Sequence, residues 1–138
     1  MARMQERARR LRTGLAMAAA TAAGAAVMMA PGTAQAAPAP SYSNCPTGDV
    51  CFYTGSNGTG KMCNWAGNDK DWRSGSEVCS WSATTNVRSI YNNGRRMDVA
   101  YYKAADHKGN RIGCTKKGKQ GNLAGTYTLR SHKWLDKC

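Results

Sequence analysis

Six cysteines constrain this chain more than any other feature of its sequence. They stand at positions 45, 51, 63, 79, 114 and 138 of the 138 residues, so the first 44 residues contain none. An even number of cysteines in an exported domain favours three disulfides, which persist in oxidising compartments. Metal ligation is disfavoured because the paired C-x-x-C spacing of zinc sites is missing. The cysteines alone leave the pairing open.

The first 36 residues have the pattern of a secretory signal peptide. Five arginines precede an apolar run over residues 15–30, and the small-residue site Ala34-Gln35-Ala36 follows the run. We therefore expect residues 1–36 to be cleaved and the mature protein to be secreted and extracellular. Cleavage removes the five arginines and Glu6, which lowers the net charge from +12 to +8. The mature chain remains basic.

The residues after the cleavage site predict a short leader and one small β domain. Residues 37–44 are rich in proline and serine and are expected to be a flexible leader. From residue 45 to residue 138 no window holds a sustained 3.6-residue apolar period, so strands are favoured over helices. Strands are predicted at residues 50–54, 61–65, 78–81, 87–91, 97–102, 111–116, 124–129 and 131–135. Asn92-Asn93-Gly94 predicts a tight turn, since asparagine and glycine accept positive φ.

The two halves of the predicted domain repeat one pattern. Phe52-Tyr53-Thr54, with a glycine turn and Cys63 after it, corresponds to Tyr101-Tyr102-Lys103, with a glycine turn and Cys114 after it. Residues 86–90 likewise correspond to residues 128–132. The repeat implies two four-strand units, at about residues 45–93 and 97–138. Two such units are expected to pack as an all-β sandwich of two antiparallel sheets with Greek-key connections.

Proximity along the chain and the repeat together predict which cysteines pair. The predicted disulfides are Cys45 to Cys51, Cys63 to Cys79 and Cys114 to Cys138. In the chain-entropy model, loops of these lengths contribute roughly 2 to 3.5 kcal/mol each. That is comparable to the net stability of a small domain, so the predicted fold depends on its disulfides.

The repeat and the opening motif resemble a secreted actinobacterial peptidase-inhibitor family. The resemblance is carried by C-P-x-G-x-x-C-F-Y at residues 45–53, by Val87-Arg88-Ser89-Ile90-Tyr91 with the asparagines after it, and by Ser131-His132-Lys133-Trp134. It implies a single βγ-crystallin-like domain of two Greek-key motifs. It also implies that the protein binds and inhibits an extracellular peptidase.

Two departures limit what the resemblance implies. Calcium-binding βγ-crystallin motifs place Asn or Asp before the serine strand, whereas Thr84-Thr85 and Thr126-Tyr127 stand here, so no metal or other cofactor is expected. Metalloproteinase inhibition in the family is associated with a disulfide-closed loop in the second half of the domain. This chain has no close cysteine pair after Cys79, so no reactive bond is implied.

An enzyme is the least favoured class of protein. His107 lies in a polar turn and His132 in a predicted strand, and no Ser-His-Asp grouping or G-x-S-x-G motif accompanies them. His107 is expected to be an exposed turn residue, and His132 to have a packing or surface role beside Trp134. No catalytic residue is predicted.

Two stretches are candidate contacts for a protein partner. Residues 92–98 form a predicted loop with Arg95 and Arg96 at its tip. Trp72 and Arg73 lie in a polar stretch, where an exposed tryptophan beside an arginine is a plausible anchor. A lid over one end of the core is the alternative for Trp72, while Trp65, Trp81 and Trp134 are expected to pack in the core.

The sequence favours an inhibitor and leaves a second class open. The leading hypothesis is a monomeric secreted inhibitor that occupies a peptidase cleft without covalent chemistry. The alternative is a basic antimicrobial or cell-envelope protein of the killer-toxin type, attracted to anionic polymers through lysine clusters such as Lys116-Lys117. A structural role in the envelope is a third possibility. No nucleic-acid partner is expected, because no recognition motif is present.

Overall fold

The computed structural model describes Gly32 and residues 41–138 of the chain. The predicted signal peptide and the start of the predicted leader lie outside these residues, apart from Gly32. Seven strands form in the described part, and two short 3₁₀ turns follow the first and fourth of them. The strands are β1 (Val50–Tyr53), β2 (Met62–Trp65), β3 (Val87–Asn92), β4 (Asp98–Tyr102), β5 (Arg111–Thr115), β6 (Gln120–Tyr127) and β7 (Ser131–Leu135).

The strands make two antiparallel sheets that share one core. The first sheet has the order β2-β1-β3-β6 and the second has the order β5-β4-β7. Both sheets contribute buried side chains to one cluster, which includes Phe52 and Ile90 from the first sheet and Val99 and Tyr101 from the second. The prediction of an all-β sandwich is therefore confirmed.

One strand of the second repeat pairs with the sheet of the first repeat, and a single bridge joins the first repeat to the sheet of the second. Strand β6 comes from the second half of the domain but pairs with β3 of the first half. In the reverse direction, Asp69 forms an isolated antiparallel bridge with His132 of β7. Nearby, the Trp72 amide donates to the Arg130 carbonyl oxygen at 2.8 Å. Each half therefore contributes hydrogen bonds to the sheet of the other half. This agrees with a repeat unit too small to bury a core of its own.

The three disulfides pair as the sequence predicts. They join Cys45 to Cys51, Cys63 to Cys79 and Cys114 to Cys138. The strand predicted at residues 78–81 is wrong, because consecutive turns replace it: Ser82 donates to the Cys79 carbonyl, and Thr84 and Thr85 donate to the Trp81 carbonyl. These local hydrogen bonds use backbone groups that a sheet would need.

The predicted flexible leader is wrong for its described end. Tyr42 is buried and packs edge-on against Tyr53 and Tyr91. With Cys45 and Cys51, Tyr42 and Tyr53 form a second, smaller cluster. Since side chains alternate along a strand, Val50 and Phe52 enter the main core while Cys51 and Tyr53 enter this cluster. Strand β1 is consequently buried on both faces.

Two buried serines hold the 3₁₀ turns against the strands. The Ser89 hydroxyl donates to the Gly55 carbonyl at 2.7 Å and accepts from the Gly58 amide at 2.9 Å. In the second half, the Ser131 hydroxyl donates to the Ala104 carbonyl at 2.6 Å and accepts from the His107 amide at 3.2 Å. The sequence repeat is therefore also a repeat of hydrogen bonds.

We expect Ser89→Ala to lower the free energy of unfolding by roughly 1 to 3 kcal/mol, because it leaves the Gly55 carbonyl and the Gly58 amide without their partner. Urea unfolding monitored by tryptophan fluorescence measures the change. Ser43→Ala is the control, since Ser43 is exposed. Equal stability of the two variants would contradict the assigned role of Ser89.

Candidate partner-binding site

The loop that carries Arg95 and Arg96 is held by a buried asparagine at the end of β3. The side-chain amide of Asn92 donates to the carbonyl oxygens of Met97 and Thr115, both at 3.0 Å. Its side-chain oxygen accepts from the Gly94 amide at 2.9 Å. Asn92 is fully buried, so these bonds are shielded from water and fix the base of the loop.

The disulfide-closed turn at Cys45 braces the same loop from the other side. The Asn93 amide donates to the Asp49 carbonyl and the Gly48 amide donates to the Asn93 carbonyl, each at 2.9 Å. The Asn93 side chain also donates to the Cys45 carbonyl at 3.0 Å. The opening motif of the sequence thus serves as a support for the candidate site.

The prediction of a tight turn with positive φ at residues 92–94 is wrong. None of the three residues has a positive φ, and the segment instead connects β3 of one sheet to β4 of the other. Glycine is required at position 94 for a different reason, namely that an added Cβ would collide with the Trp134 ring and with the Asn92 side chain. Close approach of the backbone to an aromatic ring, rather than turn geometry, explains this glycine.

Arg95 and Arg96 are exposed at the rim of an open cleft of about 580 Å³. Trp134 and Met97 supply its apolar lining. The full set of lining residues is Gly48, Ala66, Gly67, Asn68, Gly94, Arg95, Arg96, Met97 and Trp134. No carboxylate belongs to this set, so the two arginines give the cleft a rim of positive charge.

Trp72 is fully buried, so the prediction of an exposed tryptophan anchor is wrong. Its ring stacks on Trp65 with centroids 4.6 Å apart, and its centroid lies 4.6 Å from that of Phe52. Its indole N–H donates to Nδ1 of His132 at 2.8 Å. The polar residues around Trp72 in the sequence cover the core, and the tryptophan itself belongs to it.

Arg73, the neighbour of Trp72, is exposed, and its role as a partner contact stays a prediction. Its guanidinium lies 3.4 Å from the Ser82 carbonyl oxygen, and its backbone amide donates to the Asp71 carboxylate. Asp71 also accepts two hydrogen bonds from Arg130, each at 2.9 Å, and these hold its pKa well below the usual range. Arg73 therefore begins an exposed loop whose first turn is fixed by an ion pair.

The two histidines serve packing rather than a reactive centre. His132 is fully buried, and its Nε2 donates to the Gly67 carbonyl at 2.9 Å while Nδ1 accepts from Trp72. Burial lowers the pKa of His132 to about 4, so the ring is neutral near pH 7. His107 is only half-buried, and its Nε2 lies 2.8 Å from the His132 carbonyl and 3.2 Å from the Asp69 carbonyl. Since both acceptors are carbonyls, Nε2 of His107 carries a proton.

Within residues 41–138 no group of three or more metal-ligating side chains is placed to hold an ion. The expectation from Thr84-Thr85 and Thr126-Tyr127 that the domain does not bind calcium strongly stays a prediction. In the same part of the chain, no helix is long and apolar enough to cross a membrane.

Sequence reasoning missed two features of the candidate site. The sequence predicts a turn at Asn92, whereas in the structure its buried side chain organises the loop. An asparagine at the end of an apolar strand is the sequence signal for this role. A buried asparagine needs several hydrogen-bond partners and so organises the backbone around it. The sequence predicts a strand at Val78, whereas the structure leaves this residue exposed, the one large hydrophobic residue of the described chain that is so.

Comparison with a solved βγ-crystallin structure supports the fold. A structure from work on the evolution of the eye lens βγ-crystallin domain fold is 23% identical, covers 66% of this chain and 89% of that one, and superposes with a TM-score of 0.51. Geodin, a βγ-crystallin from Geodia cydonium, is 15% identical, and the match covers 64% of this chain with a TM-score of 0.47. This chain spans about half (49%) of the geodin chain. No curated protein sequence matches significantly.

The two sheets, with β6 of the second half paired to β3 of the first, define a βγ-crystallin-like domain stapled by three disulfides. The sequence model of peptidase inhibitor family I36 matches residues 38–115, which is more than half of the 138 residues. The chain belongs to this family of peptidase inhibitors, and that membership implies a protein that is not an enzyme.

Proposed function

We propose that this protein is a secreted inhibitor that blocks an extracellular peptidase by occupying its active-site cleft. The match of the family model to residues 38–115 is the observation that carries the proposal. The inhibition is steric and non-covalent, and the inhibitor acts as a monomer. The braced loops support this mechanism, because a loop already held in its bound shape loses less entropy on binding.

The loop at residues 92–98 is the proposed contact that guides the partner. Arg95 and Arg96 are exposed, and neither forms an ion pair with a carboxylate of residues 41–138. The cleft that they border has no acidic lining residue. Cations at the rim of an interface mainly raise the association rate constant, because long-range attraction guides the encounter.

Replacing Arg95 and Arg96 together with alanine is expected to lower the association rate constant about tenfold at low salt and to flatten its salt dependence. The dissociation rate constant should change little. Surface plasmon resonance against an inhibited peptidase measures both constants. The control is Lys116→Ala with Lys117→Ala, which removes the same charge from another exposed turn. Equal association rates for the two double variants would rule out a specific role for Arg95 and Arg96.

The proposal is tested by measuring residual activity of serine, cysteine and metallopeptidases incubated with the mature protein. Inhibition of at least one secreted peptidase at a stoichiometric ratio supports it. Absence of inhibition across the three classes contradicts it.

The cell-envelope alternative is favoured by one observation, the exposed basic turn with Lys116, Lys117 and Lys119. Such a turn attracts anionic polymers. Growth assays with fungal and bacterial cells, run beside the peptidase assays, test it. Killing of cells without inhibition of any peptidase would favour the alternative.

A further inference from the structure

We infer that residues 73–78 form the segment that enters the peptidase's substrate cleft, with the Val78 side chain in an apolar specificity pocket. The inference rests on the proposed inhibitory function and names the contact through which it acts. The segment lies in the first half of the domain, inside the region closed by the Cys63 to Cys79 disulfide. It is therefore a different loop from the second-half loop that the family resemblance implies for metalloproteinase inhibition.

The segment is exposed along its whole length and carries one large apolar side chain. All six residues from Arg73 to Val78 are exposed. Val78 has 56% of its surface accessible and is the exposed large hydrophobic residue of residues 41–138. A single exposed valine is common on protein surfaces and indicates nothing alone. Val78 is informative because it lies in a loop that is fixed at both ends, which presents its side chain in a defined position.

Both ends of the segment are anchored in the core. Trp72 precedes it and Cys79 follows it, and these residues are 0% and 2% exposed. The Cys79 amide donates to the Trp72 carbonyl at 2.7 Å, which closes the base of the loop. The disulfide to Cys63 and the hydrogen bond from the Trp72 indole to His132 hold the two ends further. Such anchoring keeps the loop in one conformation and lowers the entropy lost on binding.

The shape and the free backbone of the segment suit a narrow cleft. Ser74, Gly75 and Ser76 have small side chains, and Gly75 has φ +94°, where a residue with a Cβ would be strained. The backbone groups of residues 75–78 make no hydrogen bond to other residues of the described chain. They are therefore free to pair with a peptidase backbone, as an extended peptide pairs with an exposed strand edge.

The chemistry of Val78 defines the class of target. A branched aliphatic side chain of this size fits a small apolar pocket like that of elastase, whereas the carboxylate in the trypsin pocket selects a cation. The two contacts have different roles. Arg95 and Arg96 accelerate the encounter, and Val78 supplies the desolvated contact that slows dissociation.

Exchanging Val78 tests the inference. Inhibition constants of the wild-type protein and of Val78→Arg, Val78→Leu and Asn110→Arg are measured against elastase, thermolysin and trypsin. Asn110→Arg adds the same charge at another exposed position. Mass spectrometry and the melting temperature verify that each variant keeps three disulfides and its fold.

We expect Val78→Arg to weaken inhibition of the peptidase with an apolar pocket by at least about 30-fold, the size of a hot-spot loss. The same variant should gain inhibition of trypsin. Val78→Leu should stay within about tenfold of the wild type and Asn110→Arg within about twofold.

Two results overturn the inference and leave the proposed function standing. One is that the wild-type protein inhibits a peptidase and Val78→Arg inhibits it equally. The other is that the wild-type protein inhibits only trypsin. If the wild-type protein inhibits no peptidase of the wider panel, the proposed function fails and the inference fails with it.

Discussion

Replacing Trp72 with alanine is expected to lower the free energy of unfolding by roughly 3 to 5 kcal/mol. Trp72 is fully buried, stacks on Trp65 and contacts Phe52, so its removal opens a cavity at the centre of the aromatic core. The change also leaves Nδ1 of the buried His132 without a donor. Since small domains are stabilised by only about 5 to 15 kcal/mol, this single change removes a large part of the stability.

A milder pair of variants separates the hydrogen bond from the packing. Trp72→Phe and Trp81→Phe remove similar ring atoms from the same core cluster. The Trp81 indole N–H has no hydrogen-bond partner among the described residues, whereas that of Trp72 donates to His132. We expect Trp72→Phe to cost about 1 to 3 kcal/mol more than Trp81→Phe in urea unfolding. Equal costs would show that the indole hydrogen bond does not contribute to stability.

Acidification from about pH 6.5 to about pH 4 is expected to remove roughly 3 kcal/mol of stability through His132. Burial lowers the pKa of this histidine to about 4, below the ordinary value of 6.5. The unfolded chain therefore binds a proton across this range while the folded chain does not, and stability falls as the pH falls. Above about pH 6.5 the contribution is fully present.

Urea unfolding at a series of pH values measures this loss, and His132→Gln is the comparison because glutamine stays neutral. The slope of stability against pH between about pH 6.5 and about pH 4 should nearly disappear in the variant. The hydrogen bonds from Arg130 to Asp71 and from the Cys138 amide to Asp98 lower the pKa of each carboxyl. The stability that these two carboxylates contribute is present above the ordinary carboxyl pKa. It is lost at a lower pH than the contribution of His132. An unchanged slope in His132→Gln would assign the pH dependence to other groups.

The repeat was the most informative pattern in the sequence because it predicted most of the strands and the class of the sheets. Phe52 and Tyr101 occupy matching strands, and Ser89 and Ser131 make matching hydrogen bonds to the turns before them. The disulfides were predictable for a related reason: each pair is close along the chain, and loop closure is easiest between near neighbours.

Trp72 and Val78 show where prediction from the sequence failed. Trp72 has polar neighbours in the sequence, yet its burial depends on His132, which lies 60 residues away. Valine is a residue type that is common in strands. The disulfide at Cys79 and the turns that follow Cys79 nevertheless leave Val78 exposed. A contact between distant segments decided the position of Trp72, and such a contact leaves no local pattern. The exposure of Val78 follows instead from the disulfide and the turns beside it.

The sequence by itself determined the class of fold, the pairing of the six cysteines and the family. Each of these follows from the local spacing of residues or from a repeated pattern. The tertiary structure alone decided which residues are available to a partner. Arg95, Arg96 and Val78 are exposed and Trp72 is not. The physical reason is that each half contributes hydrogen bonds to the sheet of the other half, so segments from one half must pack against the other. The burial of Trp72 is therefore set by contacts between the two halves and not by the local sequence.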